Sequence, residues 1–370
     1  MMQKDIRFDR LKLIAMIGIV FIHCVSNCNV LEEMEYLSAP YFIMSILYTA
    51  FLAMTNVFVI VSSYLLINKY KVKAGGIRFG KVIEICCVTS AYATAIYLIL
   101  VASGAISFGL FDFFKSLFSV FVNQYWFIGA YLFLYIMSPL LFKALNALSE
   151  KEVRIVCITS LVFFSLFPTL FIFESPLEFY DSQHGKSIVW MIVLFVLTFY
   201  IDKFGMEFIR KIKKSQVVIG LSLSVFLLVL SRIVLRYISF LIHLGGDGEG
   251  RLFFDESVFI VVISFAFFVL TIKTKPKMKK GKIDAITSLL AGTTLGIYLI
   301  HNNPYLRTLM WEKFKLLIFK YSGMEVLMVI AIVIAIFIVC FLVEYIRIFV
   351  TGKLVSLKPC RGKNDRTAKN

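Results

Sequence analysis

His23 is the first residue in this chain whose type and place suggest chemistry. It sits about twelve residues into the first apolar run, some 18 Å along a helix. His23 lies within an apolar run long enough to enter a bilayer, where an ionisable group is costly and invites a functional reason. An imidazole exchanges protons near neutral pH, which suits a general base. A neutral histidine bonded to a neighbouring helix is the alternative reading of the same position.

Other polar residues stand at the ends of apolar runs. Asp9, Arg10 and Lys12 begin the first, and Arg78 and Lys81 begin the third. Together these cations can hold a phosphate-rich donor, or can simply set topology and meet anionic lipid. Arg232 and Arg236, four apart, share a face of the seventh run. They can snorkel outward, or bind an anionic or carbonyl-bearing substrate, and Asp247 and Glu249 are candidate partners. His301 ends the ninth run just before Asn302-Asn303-Pro304, either as a site wall or substrate contact, or as an interfacial residue. His184 and His243 read as ordinary loop residues. Trp126 opens the fourth run as part of an aromatic belt, and Pro139 is expected to kink or end that run.

The elements that position these residues are membrane helices. The chain has 370 residues, 60% hydrophobic, with 38 Phe and only 17% charged residues; its mean hydropathy is +0.87. A water-soluble fold has no place for that much apolar surface. Ten apolar segments are long enough to span: 11–30, 41–67, 82–103, 125–145, 155–173, 187–201, 216–238, 253–272, 285–303 and 324–346. The expected fold is therefore all-α, a polytopic transmembrane helical bundle. Basic residues crowd alternate connections: Lys4 to Lys12, Lys69 to Lys81, Lys143 to Arg154, Lys203 to Lys214, Lys273 to Lys282, and the tail from Arg347. The remaining connections are poor in Lys and Arg and carry acidic residues such as Glu32, Glu174 and Asp255. This asymmetry places both termini in the cytoplasm.

The net charge of +16 thus follows topology, and nucleic acid is not an expected partner. The seven cysteines read as small apolar fillers, and no metal is expected. The first run reads as a retained span, without a cleavable signal. No GxGxxG or P-loop pattern occurs, so a nucleotide-bearing donor must be held in another way. Connections 104–124, 239–252 and 304–323 are long enough for amphipathic or re-entrant structure. Residues 1–350 form the expected membrane domain, and 351–370 a basic, disordered cytoplasmic tail.

These residues carry a family pattern. The chain resembles integral-membrane acyltransferase family 3, of the bacterial surface-polysaccharide O-acetyltransferase type. The resemblance rests on Arg7-Phe8-Asp9-Arg10-Leu11-Lys12 leading to His23-Cys24, and on Asn56 to Leu66 in the second run. Trp126-Phe127-Ile128-Gly129-Ala130-Tyr131 through Pro139, and Gly296-Ile297-Tyr298-Leu299-Ile300-His301, complete it. Two departures stand out. Ser62-Ser63 replaces the family's Ser-Gly, and Arg78 with Lys81 replaces a pair of arginines three apart.

The resemblance implies transfer of an acyl group, most often acetyl from acetyl-CoA as cosubstrate, to a hydroxyl of a surface polysaccharide or lipid-linked glycan. No permanently bound cofactor is implied, and the localisation is the bacterial cell membrane. His23 would be general base or acyl relay. Arg10, Lys12, Arg78 and Lys81 would hold the CoA, and Asp9 would orient. Arg232, Arg236, His301 and Trp126 are acceptor-side candidates. A membrane transporter of a small solute or glycan precursor is the rival reading, and a non-enzymatic scaffold or sensor a second. Few acidic residues within the spans argue against ion-coupled transport.

Overall fold

A computed structural model of the protein describes residues 5–72, 77, 79–122, 124–170, 184–241, 250–276 and 281–356. The regular elements among them are helices. The chain opens with α1 (Ile6–Asn27), the single turn α2 (Val30–Glu33), and the consecutive α3 (Ala39–Leu52) and α4 (Met54–Val72). Next come α5 (Phe79–Ala102), α6 (Leu110–Leu117) and α7 (Trp126–Ala147). A π-helical turn joins α8 (Glu150–Leu161) to α9 (Phe167–Leu170), and another joins α10 (Ile188–Tyr200) to α11 (Met206–Lys211). The remainder comprises α12 (Lys214–Leu241), α13 (Val258–Ile272), α14 (Lys282–Gly292), α15 (Thr294–His301), α16 (Pro304–Ile318) and α17 (Glu325–Ser356).

Local sequence explains several helix starts. Asp5 caps α1 by accepting from the Arg7 amide at 3.1 Å. Ser38 and Ser187 cap α3 and α10 in the same way. Ser149 and Glu152 form a reciprocal capping box at α8. Pro139 does not end α7, which continues eight residues beyond it to Ala147.

Seven helices or helix pairs among the described residues are long and apolar enough to cross a membrane, and the α14–α15 pair, bent by 44°, raises the number to eight. The ten crossings expected from hydropathy are thus seven or eight by length and composition. At fifteen residues α13 is short for the hydrocarbon core. Helix α1 carries Asp9, Arg10 and Lys12 in its first two turns and lies inside the bundle, with twelve of its 22 residues buried. It packs on α4, α14, α17 and α3, so the helix bearing His23 is the centre of the assembly.

Outside the bundle, α6 places Phe111, Phe114 and the following Phe118 outward and Ser116 inward, an amphipathic segment within 104–124. The expected tail begins differently, because α17 runs on to Ser356; residues 357–370 lie outside the described residues.

Candidate active site

Lys12, Met16, Ile19 and His23 follow one another at spacings of four, three and four, the signature of one helix face. All four line a single cavity of about 410 Å³. Its charged end is formed by Lys12, Lys81, Glu84, Glu344 and Arg347. Its middle is walled by Phe58, Ser62, Tyr131 and Tyr298, and His23, Thr55 and Trp126 close the other end. Helices α1, α4, α5, α7, α15 and α17 all contribute, so no short stretch of chain contains the site.

The His23 ring is fixed from behind. Its Nδ1 stands 2.9 Å from Nε2 of His301, and Nδ1 of His301 stands 2.6 Å from the Ile297 carbonyl. The tautomers follow from those partners. A carbonyl only accepts, so Nδ1 of His301 carries a hydrogen; in the neutral ring its Nε2 must then accept. Nδ1 of His23 therefore donates, and Nε2 of His23 keeps a free lone pair. This is the state a general base needs. His301 is completely buried, with its ring edge-on to Tyr298 at 6.1 Å. His301, an acceptor-side candidate by sequence, is thus a direct hydrogen-bond partner of His23.

At the charged end, Lys81 pairs with Glu84 at 3.0 Å, with both side chains about half exposed. Such pairs are worth at most about 1 kcal/mol, so a phosphate could displace the carboxylate readily. Arg347 is held more firmly. Its Nε and Nη2 donate to the two oxygens of Glu344 at 2.6 and 2.7 Å, and the Tyr92 hydroxyl donates to the same carboxylate at 2.6 Å. Glu344 is only 1% exposed, and Gly296 makes room for it. A Cβ on Gly296 would lie 2.5 Å from Oε2 of Glu344.

The remaining expected site residues are distributed as follows. Asp9 accepts from the Ser288 hydroxyl at 2.7 Å, and Arg10 pairs with buried Asp284 at 3.0 Å. Both fasten α1 to α14, and neither lines the cavity. Arg232 is buried between the rings of Tyr48 and Phe253, at 4.9 and 4.5 Å. Arg236 lies over Tyr36 and donates to the Leu31 carbonyl at 3.1 Å. The structure therefore does not bring these two arginines to His23; their aromatic and backbone partners hold α12 against α2, α3 and the segment before α13. Arg78, His243, Asp247 and Glu249 lie outside the described residues. Ser62 lines the cavity, whereas Ser63, at the place of the family's glycine, is fully buried.

Sequence reasoning passed over Tyr92, Glu344 and Arg347. Glu344 carried a signal, as an acid inside the most apolar run, two residues before its end; Arg347 looked like ordinary topology charge just beyond it.

A polytopic all-α membrane bundle whose helices surround a cavity lined by an imidazole and several cations defines the class: a multi-pass membrane protein with ionisable groups around an internal cavity. The family is found directly, since the family model described as "Acyltransferase domain", acyltransferase family 3, matches residues 5–345. The chain belongs to that family. It is a multi-pass membrane protein of an acyl-transferring enzyme family. No curated protein and no solved structure matches it.

Proposed function

We propose that this protein transfers an acyl group, most simply acetyl, from acyl-CoA at its cytoplasmic side to a hydroxyl of a cell-surface glycan. The observation that carries this reading is the cavity joining Lys12, Lys81 and Arg347 to the lone pair of His23. The cations bind the CoA phosphates, and the narrow apolar middle takes the pantetheine arm. In this reading the chain crosses the membrane ten times: the seven long apolar helices are joined by α1, α13 and the α14–α15 pair. Both termini then lie in the cytoplasm, as the basic connections require.

His23 acts as general base. Its Nε2 takes the proton of the acceptor hydroxyl as the oxygen attacks the thioester carbonyl. The C–S bond breaks, an ester C–O bond forms, and the imidazolium returns the proton to the departing thiolate. His301 holds the ring and accepts from its Nδ1 throughout. Trp126, at the same end of the cavity, supplies a flat face for a sugar ring. An acyl-imidazole on His23 is the alternative; it would accumulate in acid-quenched enzyme given acyl-CoA without acceptor, whereas direct transfer leaves none.

Membranes containing the purified chain, given acetyl-labelled CoA and extracted surface glycan, test the reaction. Label on the glycan is the expected result. Folded protein that labels no glycan in a broad panel would refute the reading. Lys12→Gln and Lys81→Gln should each raise the donor KM about tenfold with a smaller effect on kcat, as loss of a phosphate contact predicts. An unchanged donor KM would remove the phosphates from this end.

His301→Phe should keep the apolar packing but leave Nδ1 of His23 without an acceptor. Activity should fall about a hundredfold, with a displaced pH–rate profile and little change in donor KM. An unaltered profile would reduce His301 to packing.

A further inference from the structure

Several cations elsewhere among the described residues are paired. Arg7, Arg10, Lys71, Lys81, Lys315 and Arg347 all have carboxylate partners. Lys186 and Arg307 differ. Both are exposed, and among the described residues neither side chain has a hydrogen-bond or ion-pair partner. Both stand near enough to His23 for their charges to act on its ring. In the acyl-transfer reading they flank the end at which the acceptor arrives.

Their positions are built rather than incidental. Lys186 follows Gly185, a buried residue with φ +77°. A Cβ at Gly185 would stand 2.5 Å from Cβ of Asp255, so only glycine lets this turn sit on the segment before α13. That segment is tied inward. Asn56 donates to the Asp255 carbonyl at 2.6 Å and accepts from the Trp190 indole at 2.9 Å. The residue before Asn56 is Thr55, which lines the cavity beside His23. Arg307 lies on the first turns of α16, whose cap, Asn303, accepts from the amides of Tyr305 and Leu306 at 3.0 and 3.1 Å. Asn303 also donates to the Tyr125 hydroxyl at 2.9 Å, which in turn donates to the Leu299 carbonyl of α15. The Lys186 turn thus rests on a segment tied to α4, which packs on α1, and the Arg307 backbone is tied to α15, which carries His301.

We propose that Lys186 and Arg307 form an acceptor-recognition site for an acidic glycan, holding its carboxylate or phosphate while a neighbouring hydroxyl reaches His23. Two exposed cations without partners among the described residues attract an anion from solution and fix its register with little reorganisation. Among the described residues two carboxyls stand by this turn: that of Asp255, which burial pushes up to about 7, and that of Glu256, packed against Gly185; an acidic glycan competes with them for the lysine. A neutral sugar would leave both cations unused. The inference takes its purpose from the acyl-transfer reading, but its test needs no turnover.

The full chain in neutral-lipid nanodiscs, without donor, would be titrated with three hexameric probes while tryptophan fluorescence is followed. One is a hexuronate, one a sugar hexamer joined through phosphodiesters, and one a neutral glucan. At low salt at least one acidic probe should bind about tenfold more tightly than the neutral one, and the difference should shrink as salt is raised. The acidic probe that binds distinguishes carboxylate from phosphate. Combined Lys186→Gln and Arg307→Gln substitution should abolish the acidic preference, whereas combined Lys186→Arg and Arg307→Lys should retain it. Equal binding of acidic and neutral probes, binding of neither acidic probe, or an acidic preference that survives the double Gln substitution would each overturn the proposal. Failure of label transfer to every glycan, with the acidic preference intact, would instead count against the acyl-transfer reading.

Discussion

Replacing His23 by alanine is expected to lower acyl transfer about a thousandfold, the size of a positioned general base. The protein should still fold and insert. His23 is only partly buried and its loss leaves one acceptor, Nε2 of His301, without its donor, at a cost of about 1–3 kcal/mol. The measurement is label transfer from acetyl-CoA to glycan, beside size-exclusion behaviour and a thermal unfolding midpoint of the same preparation. Loss of transfer with a monodisperse, folded protein is the expected result. Undiminished product formation would exclude His23 from the chemistry. His23→Gln offers a second reading. Its amide can donate to His301 in place of Nδ1, so stability should recover while transfer stays low, which separates the base from the packing.

Gly296→Ala is expected to weaken the fold and donor binding together. The added carbon meets the Glu344 carboxylate, with Oε2 at 2.5 Å and Cγ at 2.6 Å. That carboxylate is not free to swing aside, because Tyr92 and both donors of Arg347 hold it. Either the α15–α17 contact opens or the carboxylate moves and Arg347 moves with it. Overpacking of this kind costs about 1–3 kcal/mol. Because Arg347 lines the charged end of the cavity, the donor KM should rise about tenfold as well. Glu344→Gln separates the two consequences, keeping the shape but weakening the grip on Arg347; it should raise the donor KM with less loss of stability. A Gly296→Ala protein with unchanged unfolding midpoint and unchanged donor KM would show that the cluster is neither tightly packed nor part of donor binding.

The two substitutions probe different kinds of information. The cavity-lining face of α1 was legible in the order of residues, because helical periodicity alone puts Lys12, Met16, Ile19 and His23 on one side. So was the class of fold: the apolar runs have nowhere to go but a bilayer, and their length sets their form as helices. The exact number of crossings was not. Hydropathy cannot distinguish a lipid-facing helix from one like α1, enclosed by its neighbours, nor a straight span from the bent α14–α15 pair.

What only the tertiary structure decided are the partnerships. The hydrogen bond between His23 and His301 joins residues 278 positions apart, and the lone pair at Nε2 depends on it. Arg232 and Arg236 share a helical face with good spacing for an anion, and only packing places Tyr48 and Phe253 around the one and Tyr36 and the Leu31 carbonyl beside the other. Glu344 and Arg347 sit together on α17, but only the approach of Gly296 and Tyr92 makes them one unit beside the cavity. The reason is physical. Periodicity within one helix follows from local backbone geometry, which the order of residues specifies. The face a helix offers to its neighbours depends on packing among all the helices at once, and no single segment contains it.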